Sequence, residues 1–324
     1  MQNLCCTITS RNLKSGCDIS MNDRKAIDAL YINFPFCKTP CSYCHYKKNL
    51  SFGNDCIPDE YFSTVLRQTE ALLEEHVDDV IGSIYFGGGT PSLLNDAQCN
   101  RFKELFARHN VRPFETTIEV HPGVRNFSLD NDFFNRYSIG VQSFDEKTLA
   151  AYNRKNYTVS DVYDLVERLR KRGKAVINID LVFDEELSEA DIESVNELQP
   201  ETVTLYPNTQ GRGSRRLLSV LKTLESAKDR LKNYRPLGSS KFIFVRNDSR
   251  QSLYSQTEYE LLGNIYGIGH NSVSYVGDTS YLCRYSDGAY ELKERHRALN
   301  RRFEYLMMGL PSGVKNFLWQ YRIR

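Results

Sequence analysis

The sequence has no run approaching the roughly 18 consecutive apolar residues of a membrane span, and its start, MQNLCCTITSRNLK, lacks the charged-then-apolar order of a secretion signal. It also lacks an excess of either charge, since 42 Lys and Arg stand against 41 Asp and Glu, a net of +1. Neither a nucleic acid nor a membrane surface is therefore implied as a partner, and the expected location is cytoplasmic. No internal repeat or low-complexity tract is visible. What remains, 40% hydrophobic and 26% charged over 324 residues, is the make-up of an ordinary globular protein with one large domain, or one plus a small appendage.

Nine cysteines without an export signal point to thiol chemistry or metal binding instead of disulfides. Six are scattered (Cys5, Cys6, Cys17, Cys56, Cys99 and Cys283) and read as structural or incidental. The other three, Cys37, Cys41 and Cys44, are packed into FCKTPCSYCHY with the spacing C-x3-C-x2-C.

Short β-branched or apolar runs alternate with amphipathic stretches, the pattern of a parallel sheet with crossover helices. The runs are ALYINF (29–34), SIYFGG (83–88), TTIEVH (116–121), YSIGVQ (137–142), AVINIDLVF (175–183) and TVTLYP (202–207). Helical patterns between them begin at DEYFSTVLRQ, DAQCNRFKEL, EKTLAAYNRK, VSDVYDLVER and EADIESVNEL. Six β/α units fit. Residues 1–27 read as a lead-in without periodicity. After Pro207 the rhythm stops; residues 208–324 are expected to hold a helix near 216–233, a Gly-punctuated strand-like run (NIYGIGHNSVSYVG) and a basic helix around 289–308. The basic cluster LRKRGK (169–174) reads as a solvated helix end capped by Gly173.

Three thiolates on one loop suit a shared metal. Zinc in a closed structural site takes four ligands, and no second C-x2-C or H-x3-H pair completes one beside His45. An iron-sulfur cluster is usually held by four cysteines; three leave one iron open for substrate chemistry. A catalytic cluster, a zinc site and unligated thiols all stand as readings of the spacing alone. Glu119, Gln142 and Asp180 fall at or near the ends of the third, fourth and fifth strands, inside apolar runs. Polar groups there need partners such as ribose hydroxyls or an amine, and barrel enzymes gather functional groups at the carboxyl ends of strands.

YINFPFCKTPCSYCHY resembles the cluster-binding loop of the radical S-adenosylmethionine (SAM) superfamily, in the branch of oxygen-independent coproporphyrinogen III oxidase and its haem-chaperone relatives. Further matching blocks follow in order: YFGGGTPSLL (85–94), TIEVHPG (117–123), YSIGVQSFDEKTLAAYNR (137–154), NIDLVF (178–183), TLYP (204–207), GIGHNSVSYVG (267–277) and FEYLMMGL (303–310). The resemblance implies an α/β fold, an incomplete (β/α)6 TIM-like barrel over 28–207 covered by a smaller C-terminal α+β element over 208–324. It implies a [4Fe-4S] cluster on Cys37, Cys41 and Cys44, and one or two SAM molecules. Tyr31 and Tyr43 would pack beside the cluster, Tyr31 with ordinary barrel packing as its alternative. Gly88, Gly89 and Thr90 would meet the methionine end of SAM, and Arg154 its carboxylate. Glu119, Gln142 and Asp180 would complete the cofactor site, against a buried salt bridge among Arg154, Glu119 and Asp180. His270 and Tyr31 are candidate catalytic groups, His270 being equally readable as a satisfied core or surface residue.

Relatives with this scaffold include methyltransferases that use two SAM molecules. The resemblance therefore implies a small-molecule substrate and a reducing partner such as flavodoxin or ferredoxin. The alternatives are a haem-binding chaperone, a coproporphyrinogen oxidase-like decarboxylase and a zinc-stabilised binding protein. Three departures bear on the substrate. Tyr46 and Asn33 replace a cysteine and a histidine of the oxidase, and NIDLVFDEELSEAD replaces a Gly-Leu-Pro-Gly turn.

Overall fold

The computed structural model describes residues 25–44, 46, 50–124, 127, 132–208, 215–237, 240–277, 279–286 and 289–297. Six parallel strands carry the framework: β1 (Ala29–Phe34), β2 (Ser83–Gly88), β3 (Glu115–Val120), β4 (Arg136–Gln142), β5 (Val176–Phe183) and β6 (Thr202–Pro207). Helices α1 (Asp59–Glu75), α2 (Asp96–Arg108), α3 (Glu146–Ala151), α4 (Val159–Lys171), α5 (Glu189–Leu198) and α6 (Arg215–Arg230) run between and after them. Three of these begin on a reciprocal capping box that satisfies orphan amides of the first turn: Asn95 with Gln98, Thr158 with Asp161, and Ser188 with Asp191.

On the helix-facing side the strands bury Leu30, Ile32, Phe34, Ile84, Phe86 and Ile118 against Phe62 and Phe102. Phe34 stacks on Phe86, and Phe102 meets Phe86 edge-on at 5.1 Å. The strands alternate, with apolar residues toward the helices and more polar ones on the other face. The opposite face is the polar one, and it forms the interior of the partial barrel.

After β6 the chain adds β7 (Tyr234–Leu237) and β8 (Ser240–Arg246), with β8 antiparallel to β6. It then crosses to the other edge, where β9 (Ile265–Ile268) pairs parallel with β1, with Tyr31 opposite Gly267. The strands β10 (Val273–Val276), β11 (Thr279–Ser286) and β12 (Ala289–Arg297) extend that edge antiparallel. The sheet order is β12-β11-β10-β9-β1-β2-β3-β4-β5-β6-β8-β7. It is open, since no described strand of one end pairs with the other. The helix expected near 216–233 forms. The basic helix expected around 289–308 does not over 289–297, where β12 pairs with β11 along its length; the rest of it, and residues 1–24 of the lead-in, lie outside the described residues. Residues 209–214 of the polar loop do too.

No described helix is long and apolar enough to cross a membrane.

Candidate active site

The loop after β1 carries the three cysteines, and the next βα corner folds onto it. Phe36–Cys37 pairs with Ser51–Phe52 as a two-residue ladder that closes the loop. Gly88, at φ +118°, leaves no room for a side chain, since a Cβ would lie 2.3 Å from Asn33 Oδ1; a Cβ on Gly89 would sit 2.5 Å from the Phe36 carbonyl and 3.0 Å from Cys37 Sγ. These glycines let the end of β2 nest directly against the cysteine loop. Thr90, which follows them, is buried and donates its hydroxyl to Cys37 Sγ at 3.4 Å.

The far side of the loop is tied to the end of α3. Ser42 N donates to the Tyr152 carbonyl at 2.8 Å, Asn153 Nδ2 to the Pro40 carbonyl at 2.7 Å, and Tyr43 packs edge-on against Tyr152 at 5.2 Å. Arg154 follows. Its Nη1 lies 3.6 Å from Cys41 Sγ and its Nη2 donates to the Gly140 carbonyl at 2.5 Å, while its buried Nε has no partner. Burial works against the guanidinium charge, but Tyr43, Tyr157 and Cys41 offset it and hold the group protonated. The same burial raises the Tyr43 phenol. It also pushes the Cys37 thiol up to about 11, against the hydrogen bond from Thr90, and Cys41 and Cys44 act on it in the same direction. A bound metal would displace that proton.

Inside the barrel, both oxygens of Glu119 are used: Tyr85 donates to Oε1 at 3.0 Å and the Gly88 amide to Oε2 at 3.2 Å. Burial, then the charge of Asp180, pushes its carboxyl up to about 8, with those two donors pulling the other way. Asp180 accepts from Ser138 at 2.7 Å and Asn178 at 2.8 Å. It too is raised by burial, with Ser138, Asn178, Thr204 and the charge of Arg136 opposing. Gln142 stands at a bulge where the register to β5 shifts, at φ +73°, a left-handed conformation that a non-glycine residue adopts at a cost. Tyr31 is half-buried, stacked on Tyr85 at 5.8 Å. Arg154, Glu119 and Asp180 do not form the salt-bridge triad considered above; each is held by other partners.

His270 enters through its backbone. Its N–H donates to Tyr61 Oη at 3.1 Å, and its carbonyl accepts from Asn33 Nδ2 at 2.5 Å. Asn33 therefore ties β1 to the loop after β9. Tyr85, Tyr61, Asn33 and Tyr152 were not among the expected site residues. Tyr85 and Asn33 left a signal, their two-residue spacing from Gly87 and from Tyr31, which places them on the interior face.

Among the described residues no three His, Cys, Asp or Glu side chains are already gathered as a ligand set. The donor set nonetheless fits a three-thiolate cluster: three cysteines on one loop, and beside them a buried cation with one donor to spare for an anionic ligand. A partial β/α barrel with that loop at the carboxyl end of its first strand is the arrangement that the resemblance to cluster-bearing enzymes acting on an adenosylated cofactor implies.

The comparisons agree. The profile of the Radical SAM superfamily matches residues 31–196, just over half the chain. The chain is 30% identical to the heme chaperone HemW of Lactococcus lactis over 78% of its own length and 71% of that protein. It is 28% identical to radical S-adenosyl methionine domain-containing protein 1, mitochondrial, of Danio rerio, covering 70% of this chain and 52% of that one. It is also 28% identical to the oxygen-independent coproporphyrinogen III oxidase of Salmonella typhimurium, over 55% of this chain and 41% of that one. Against the last two the chain thus spans only about half the relative. The coproporphyrinogen III oxidase (HemN) of Escherichia coli shares its fold, with a TM-score of 0.68, 20% identity and coverage of 87% of this chain and 76% of that one. The chain belongs to the radical SAM superfamily, a superfamily of enzymes whose members use a [4Fe-4S] cluster and SAM.

Proposed function

We propose that this chain reductively cleaves SAM and directs the resulting radical at a small biosynthetic substrate, with residues 28–207 as the catalytic barrel and 208–324 as its substrate-covering part. Cys37, Cys41 and Cys44 hold the cluster, and Tyr43 shields it. When bound, the cluster supplies the electron that breaks a carbon-sulfur bond of SAM and frees a deoxyadenosyl radical. Arg154 binds the carboxylate of SAM through a charge-assisted bond; Gly88, Gly89 and Thr90 line its methionine end. Glu119, Gln142 and Asp180 take its amine and ribose hydroxyls. Tyr31 forms the wall behind them, and His270 is a proton carrier at the rim. The observation that carries this reading is the buried Arg154 Nε without a partner, next to Cys41.

The chemistry beyond SAM cleavage divides into methyl or methylene transfer with two SAM molecules, or oxidation with one. A haem-chaperone role is the second reading, favoured by the 30% identity to HemW. The test is anaerobic reconstitution with iron and sulfide, then SAM and a strong reductant, with nucleosides identified by mass spectrometry. Deoxyadenosine alone supports single-SAM chemistry, and added S-adenosylhomocysteine supports methyl or methylene transfer. An intact cluster without SAM cleavage, in a protein that retains haem, overturns the reading in favour of the chaperone.

A further inference from the structure

Tyr85 stands midway along β2 in a triangle of mutually packed rings: Tyr31 lies at 5.8 Å and 18°, Tyr254 at 4.8 Å and 39°, and Tyr31 and Tyr254 are 6.2 Å apart. Its hydroxyl donates to Glu119 Oε1. Tyr254 comes from the far end of the chain, in the short helix Leu253–Gln256. That helix is gripped by the other carboxylate of β3, since Glu115 accepts from Ser252 Oγ at 2.6 Å and from the amides of Leu253 and Tyr254 at 2.9 and 3.2 Å. Glu115 and Glu119, four residues apart on a strand, share one face. The first anchors the segment that carries Tyr254; the second is held by the ring on which Tyr254 packs.

We propose that Tyr85 is a positioning residue for cofactor binding: its hydroxyl fixes the carboxylate of Glu119 in the orientation that receives SAM, and Tyr254 holds the Tyr85 ring in place from the C-terminal segment. This rests on the reading of Glu119 given above. Facing the cationic amine of SAM the carboxyl gives up its proton, and an ionised carboxylate offers about four acceptor sites. Tyr85 and the Gly88 amide take two, which leaves two for an amine or hydroxyls. Without the phenol only the Gly88 amide holds the carboxylate, its side-chain torsions gain freedom, and ordering them again costs binding free energy. A phenylalanine would fill the same volume, so a packing role alone would be met without the hydroxyl. Among the described residues the charged and titratable groups that face Glu119 are Tyr31 of β1, Tyr85 of β2 and Asp180 of β5. None of them is a cation that would orient the carboxylate in place of the phenol.

The test pairs a cofactor-free measurement with a cofactor-bound one in the whole chain. The first is a double-mutant cycle of Tyr85→Phe and Glu119→Gln, read by urea denaturation at pH 9, where the carboxylate is ionised, and at pH 6. A hydrogen bond to a charged group predicts a coupling of about tenfold in the unfolding constant at pH 9, and less at pH 6. The second is SAM binding to the anaerobically reconstituted protein. Tyr85→Phe should weaken it about tenfold with iron content unchanged, and Tyr254→Leu should weaken it in the same direction. Additive effects in the cycle at both pH values overturn the proposal, as does unchanged SAM affinity in Tyr85→Phe. A wild-type protein that holds its cluster but binds no SAM overturns both the proposal and the reading it rests on, whereas additivity with normal SAM binding strikes the proposal alone.

Discussion

Replacing Glu119 with Gln should change how the stability of the chain depends on pH. In the fold the carboxyl holds its proton up to about pH 8, because burial and Asp180 disfavour the charge; the ordinary value is 4.5. A folded value above the unfolded one means that its contribution to stability is complete below pH 4.5 and is lost as pH rises toward 8, since only the unfolded chain gives up the proton in that window. A difference of this size corresponds to a ceiling of roughly 5 kcal/mol over the window, at about 1.4 kcal/mol per pH unit. Solvent reaching the half-buried side chain reduces that ceiling. Glutamine keeps the shape and an acceptor for the Gly88 amide but has no proton to lose. Urea denaturation of both proteins from pH 5 to 9 should therefore show Glu119→Gln gaining stability relative to wild type by about 2 to 4 kcal/mol as pH rises. The slope from Asp180 is present in both proteins and largely cancels in the difference. Parallel curves would refute the reasoning, because they would mean that Glu119 is ionised in the fold at neutral pH.

Cys41→Ala should abolish both the cluster absorbance and SAM cleavage after reconstitution, and retained cleavage would contradict the ligand assignment. Arg154→Ala should keep its iron but weaken SAM binding about tenfold or more, as expected for the loss of a charge-assisted bond; loss of iron would mark Arg154 as structural. Tyr152→Phe removes the hydroxyl that donates to Asp184 at 3.0 Å but keeps the ring against Tyr43. It should lower stability by about 1 kcal/mol and leave the iron content intact. Gly88→Ala places a Cβ 2.3 Å from Asn33 Oδ1 at a left-handed φ, so thermal melting should show a destabilisation of roughly 2 kcal/mol or more.

The parallel framework was legible because each strand is a local signal. ALYINF, SIYFGG and TVTLYP coincide with β1, β2 and β6, the runs at β4 and β5 differ from their strands by one residue at the first position, and TTIEVH is shifted by one residue from β3 at both ends. The cysteine loop and its glycines were legible for the same reason, since their chemistry lies within a few residues. The expected helix at 289–297 failed because AYELKERHR has the charge spacing of a helix, yet pairing with β11 supplies a ladder that local preference does not foresee. The site fails to show itself in the same way wherever a contact crosses the sheet. Asn33 meets the His270 carbonyl across 237 residues, and the helix of Tyr254 meets Glu115 across 139. A single sequence shows which residues are able to bind a cofactor. It does not show which ones hold those residues still, because that depends on register between strands far apart in the chain. The substituted turn after β5 illustrates the point: Asp184 reads as one acidic residue in a loop, but it accepts from both Tyr152 and Asn208. It thereby links the end of β6 to the end of α3, against which the cysteine loop is tied.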